Sequence, residues 1–75
     1  MKMIYNIKWT NNESGDSGFV KKINPKKGFF ENVFDQMKAK SFASEEEAIE
    51  AIKTIKTLAN ETNNNSYEVV SIEMH

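Results

Sequence analysis

The sequence predicts a single α+β domain, residues 1–75, in which a four-stranded, mostly antiparallel sheet carries one helix on one face. Three observations carry that prediction. Aromatic and β-branched residues alternate with polar ones near both ends of the chain, one stretch between residues 44 and 60 has helical spacing behind a capping box, and turn-forming clusters separate the apolar runs.

Met3, Tyr5, Ile7 and Trp9 alternate with Ile4, Asn6, Lys8 and Thr10, the period of a strand with one buried face. Residues 11–18, rich in Asn, Ser and Gly, form a loop, and Phe19 to Ile23 is a second short strand. Asn24-Pro25-Lys26-Lys27-Gly28 is a turn, with proline presetting φ and Gly28 free to take positive φ. Phe29 to Phe34 reads as a third strand whose faces are both mixed, the pattern of a bulge or of one solvent-facing side. Asp35 to Ala39 fits a short helical turn. Ser44 to Glu47 is a capping box, after which Ala48, Ala51, Ile52, Ile55, Leu58 and Ala59 recur at helical spacing, so a helix is expected over 44–60. Glu45, Glu46 and Glu47 complement the positive end of its dipole. Asn60 to Ser66 is a loop and Tyr67 to Met74 the last strand. The order β-β-β-α-β predicts a sheet of order 3-2-1-4, with strand four parallel to strand one because the helix carries the chain back across the sheet once.

A chain of this length buries only about 60% of the surface it exposes when unfolded, and its core contributes roughly 3–5 kcal/mol. Cysteine is absent and the one histidine, His75, is the last residue, which excludes disulfides and leaves no zinc site. No cofactor is expected. The lack of cysteine, of a signal-like leader and of any apolar run of ~18 residues points to a cytoplasmic protein away from membranes.

Net charge is −1 but uneven: residues 18–42 carry six lysines against Glu31 and Asp35, while residues 43–75 carry Lys53 and Lys56 against seven glutamates. Every basic residue is lysine, so bidentate reading of guanine or phosphate by arginine is ruled out.

Gly15-Asp16-Ser17-Gly18 matches the nucleophile tetrapeptide of trypsin-like proteases, but a nucleophilic serine needs a histidine base within reach, and only His75 exists. Asn11, Asn12, Glu13, Ser14 and Asp16 lack calcium-loop spacing. Glu45, Glu46 and Glu47 point about 100° apart on a helix and cannot converge on one ion. No catalytic residue is identified, and the chain is read as a non-enzyme. Two binding surfaces stand out instead. Tyr5, Trp9, Phe29 and Tyr67 are candidates for an aromatic patch on the uncovered sheet face, fit for a protein partner. Lys21, Lys22, Lys26 and Lys27, interleaved with Phe29 and Phe30, form the alternative, a nucleic-acid surface pairing phosphate charge with base stacking. Self-association through a strand edge is a third possibility.

Residues 38–48, Lys38-Ala39-Lys40-Ser41-Phe42-Ala43-Ser44-Glu45-Glu46-Glu47-Ala48, resemble the strand-to-helix junction of the arm-type DNA-binding domains of phage integrases. That resemblance, over about residues 1–60, implies a sheet that reads DNA; the missing arginines and the added fourth strand depart from it. In size, absence of cysteine and acidic balance the whole chain resembles small phage and prophage accessory proteins, including anti-CRISPR inhibitors of host defence complexes. This second resemblance implies inhibition by occlusion, with Glu45, Glu46, Glu47, Glu50, Glu61, Glu68 and Glu73 competing for a basic nucleic-acid channel of a host complex.

Overall fold

The computed structural model describes residues 2–24, 26–59 and 65–74. Four strands, β1 (Lys2–Asn11), β2 (Ser17–Asn24), β3 (Phe29–Val33) and β4 (Asn65–Met74), form one sheet of order β3-β2-β1-β4. One helix, α1 (Glu45–Ala59), covers one face, packing chiefly on β4 and β1. The four strands, the helix and the order agree with the sequence. Strand ends differ: β2 opens at Ser17, and Asn65 and Ser66 belong to β4, while the rest of the expected 60–66 loop lies outside the described residues.

One expectation is overturned. β4 runs antiparallel to β1, not parallel, in an unbroken register from Lys2↔Met74 to Asn11↔Asn65. The cause is an extra traverse of the sheet. After β3 the chain makes a 3-10 turn, Gln36–Lys38, whose first turn is closed by Asp35 Oδ1 accepting from the Met37 N–H at 2.9 Å. It then returns as an extended segment that runs antiparallel to β1, where Tyr5 and Phe42 exchange backbone hydrogen bonds of 3.0 and 2.8 Å. That return brings the start of α1 level with the beginning of β1, so the helix leads back along β1 and β4 must descend.

The returning segment lodges inside the sheet. β1 and β2 pair directly only at Lys8↔Phe19, Trp9↔Gly18 and Thr10↔Ser17. Beyond that they part, and Lys40 to Phe42 fills the fork: the Lys40 N–H donates to the Val20 carbonyl at 2.9 Å on one side, and Phe42 pairs with Tyr5 on the other. Asn6 is 2% exposed, and its Nδ2 donates to the Lys40 carbonyl at 2.9 Å and to the Tyr5 carbonyl at 3.2 Å. Burying an amide is tolerable when its donors are used in this way.

The core consists of Ile7, Trp9, Val20, Phe42, Ala48 and Ile55, with Tyr5, Ile23, Phe30, Ala51, Ile52, Tyr67 and Val69 packed around it. Trp9 lies across its pair partner Gly18, where a Cβ would stand 2.8 Å from the indole and 2.7 Å from the Val33 carbonyl, so only glycine fits. The β1–β2 connection is closed by Asn11, whose Oδ1 accepts from the Glu13 and Ser14 N–H groups, both at 2.9 Å, with Gly15 at φ 77°. Ser44 caps the helix as expected, its Oγ accepting from the Glu47 N–H, while Glu47 Oε2 reaches back one residue beyond the cap to accept from the Ala43 N–H, each at 3.2 Å.

Candidate protein-binding face

Directly paired residues of neighbouring strands point to the same side of a sheet, so the register sorts every strand residue by face. Tyr5, Ile7 and Trp9 of β1 stand opposite Ser71, Val69 and Tyr67 of β4, and this is the side the helix covers. The other side carries Ile4, Asn6 and Lys8 opposite Ile72, Val70 and Glu68.

β2 changes sides part way along. Its register to β3 shifts between Val20 and Lys22, so Lys21 is an extra residue without an opposite number. Strict alternation after Val20 would turn Lys22 toward the helix. With the bulge, Ile23 and its partner Phe30 take the covered side, while Lys22, Glu31 and Phe29 take the open one. The bulge thus keeps a lysine out of the core. The third strand was read as bulged or as solvent-facing on one side; a bulge is present in this hairpin, with its extra residue in the second strand.

This sorting corrects the aromatic patch. Tyr5, Trp9, Phe29 and Tyr67 do not share a surface. Trp9 is buried in the core with its Nε1 donating to the Phe19 carbonyl at 3.3 Å, and Tyr5 and Tyr67 pack on the same core under the helix. Their shared odd-numbered parity in paired strands puts all three on the covered face. Phe29 alone faces the open side, with Lys22 Nζ 5.8 Å from its ring centroid.

The open face is mixed, with two apolar groups among polar residues. Ile4, Val70 and Ile72 form one half of it, and Phe19, Val33 and Phe29 the other, all half-buried, with Lys8 between Phe19 and Glu68 at the middle. Of these six apolar residues the sequence reading selected only Phe29. The even-numbered alternation of β4 was the available signal for Val70 and Ile72. A second feature was not picked out as a surface: Phe34, expected as the last residue of the third strand, lies just past the end of β3 and is 73% exposed, and Met37 in the 3-10 turn is 91% exposed. Phe34 leans on the Trp9 ring, with centroids 5.6 Å apart.

The charged candidates fall into two separate groups. Lys21, Lys22, Lys26 and Lys27 are all exposed on the β2–β3 hairpin, with Lys22 beside the open face. Glu45, Glu46, Glu47 and Glu50 are exposed on the first two turns of α1, on the opposite side of the sheet. Glu47 is engaged with the Ala43 N–H and Glu50 in an ion pair with Lys53 at 3.4 Å. Both members of that pair are well exposed, so it contributes little to stability. A shallow open groove runs beside these turns, lined by Lys40, Ser41, Phe42, Ser44, Glu46, Glu47 and Glu50. Among the described residues no three His, Cys, Asp or Glu side chains gather as a metal site, and no helix is long and apolar enough to cross a membrane.

Compared with protein-family models, curated proteins and solved structures, the chain finds no significant match.

Proposed function

We propose that the chain is a non-enzymatic protein-binding module that docks through the open face of its sheet. The observation that carries this reading is the apolar set Ile4, Phe19, Phe29, Val33, Val70 and Ile72 on a face that α1 does not cover. These apolar residues form two groups, Ile4, Val70 and Ile72 on one side and Phe19, Val33 and Phe29 on the other, with Lys8 and Glu68 between them, a surface that can pair apolar contact with charge. The likeness to small phage-encoded inhibitors makes a nucleic-acid-handling host complex the first class of partner to test, with the glutamates of α1 acting on a basic channel. A second reading, nucleic-acid binding, draws support from the Lys22–Phe29 contact on the same face and from Lys21, Lys26 and Lys27 beside it.

The test is affinity capture from host lysate with and without nuclease, using the wild-type chain, an open-face variant (Phe29→Ser with Ile72→Lys) and a lysine variant (Lys21, Lys22, Lys26 and Lys27 all to Gln). The protein-binding reading expects a nuclease-resistant partner that the open-face variant loses and the lysine variant keeps. Recovery that vanishes with nuclease and with the lysines removed establishes the second reading instead. A partner indifferent to the open-face variant overturns the first.

A further inference from the structure

We propose that two copies of this chain join edge to edge through β4, about a two-fold axis perpendicular to the sheet, making one eight-stranded sheet with two helices side by side. The proposal stands independently of what the open face binds.

The backbone of β4 is prepared for such a joint. Tyr5 spends its N–H and C=O on Phe42, and the Asn11 N–H donates to Asp16 at 2.7 Å, so the odd-numbered residues of β1 turn their polar groups away from β4. The even-numbered ones therefore bond to β4, and through the register they engage Ser66, Glu68, Val70 and Ile72. The alternate residues Val69, Ser71 and Glu73 turn their N–H and C=O groups outward, at the end of the sheet order. Edge strands are normally blunted by proline, lysine, a bulge or brevity. β4 has ten residues, no proline, no lysine and no register shift. The opposite edge, β3, has five residues beside a bulge and a lysine-bearing turn. Among the described residues, β4 is the less guarded edge, with Glu68 and Glu73 its only charged residues.

The charges on β4 admit a second copy as the occupant. A two-fold axis perpendicular to the sheet keeps each face on its own side, so a residue can only meet one of its own parity. Glu68 and Glu73 differ in parity and never oppose each other. With the axis at Val69 or Val70, Glu68 meets Val70 or Ile72 of the second copy, and Glu73 meets Asn65 or Tyr67.

The helices are complementary as well. One flank of α1 faces the Lys40–Phe42 segment, where Glu47 reaches Ala43. The other flank, Glu45, Ile49, Ile52 and Lys56, therefore overhangs β4. Because α1 packs chiefly over β4 and β1, with a lesser contact to β3, joining the β4 edges brings the two helices toward each other. They run antiparallel, so Glu45 of each copy lies toward Lys56 of the other. Ile49, 42% exposed in one chain, is covered against Ile52 of its neighbour.

Sedimentation equilibrium of the full chain, from micromolar to near-millimolar, tests this directly. The expected species at high concentration has twice the 8.6 kDa of one chain. Ser71→Pro removes an outward N–H and Ile49→Lys charges the helix seam; each, with its circular dichroism unchanged, is expected to return the monomer. Lys56→Glu is expected to raise Kd roughly tenfold, and Glu45→Lys added to it to restore the wild-type value, since like charges across an interface are penalised and opposite ones steer it. The helix variants sit at exposed positions and keep the test decisive if the proline variant fails to fold. A single-chain mass at every concentration overturns the proposal, and so does a dimer that ignores Ile49→Lys and the charge exchange.

Discussion

On its β4 side, β1 pairs without interruption from Lys2↔Met74 to Asn11↔Asn65, whereas on its β2 side only Lys8, Trp9 and Thr10 pair directly and Phe42 takes over at Tyr5. The first edge is a ladder, in which each rung resembles the next and the loss of one is shared. The second is a fork closed by one short segment, held by the Lys40 N–H, the Phe42 backbone and the Asn6 side chain. The difference locates the vulnerable part of the domain, since a plug fails at a single residue and a ladder does not.

The largest effect is expected from Phe42→Ala. Phe42 both closes the fork and fills the core, and truncating a buried phenylalanine costs about 3–5 kcal/mol. That is comparable to the whole stability of a domain this size. Thermal melting should lose its cooperative transition; a variant melting within a few degrees of wild type would mean that the fork closes without its ring.

Asn6→Leu separates the fork from the ladder more sharply. It retains bulk but strips the Lys40 carbonyl of its Asn6 donor, and a buried group left unsatisfied costs about 1–3 kcal/mol. Hydrogen exchange should accelerate at Tyr5 and Lys40 while the amides of Val70 and Ile72, on the β4 ladder, stay protected. Equal acceleration on both sides would erase the distinction between the two edges.

The smallest effect is expected where the plug passes into α1. Ser44→Ala removes the acceptor of the Glu47 N–H and should destabilise by about 1 kcal/mol, read as a shift in urea midpoint with unchanged slope. A change in slope would show that the cap also governs how the 40–44 segment seats.

What the sequence made legible follows the same division. Alternation in β1 and β4, the capping box and the helical spacing from Ala48 to Ala59 are local signals, and local signals predicted the strands, the helix and the sheet order. The plug is a non-local object. Lys40, Ser41 and Phe42 have no period, and nothing near them in the chain states that Val20 and Tyr5 wait on either side. Missing that traverse reversed the direction of β4. The candidate site suffered from a related blindness. A single unpaired residue, Lys21, exchanges the faces of everything after it in β2, and the parity of Tyr5, Trp9 and Tyr67 relative to the helix depends on which side α1 packs.

The unbroken β1–β4 ladder also imposes an order of events on folding. Lys2 must find Met74 and Asn11 must find Asn65, so this pairing closes the longest loops in the molecule, whereas β2 and β3 meet across a turn of a few residues. Loop entropy delays such closures, and chains dominated by distant pairings fold in milliseconds to seconds where local ones take far less. During that interval the central strand has no neighbour along its full length on one side, and the species exposed is a β-edge carrying Ile4 and Ile7. Aggregation should therefore depend on how long refolding lasts more than on how stable the finished domain is.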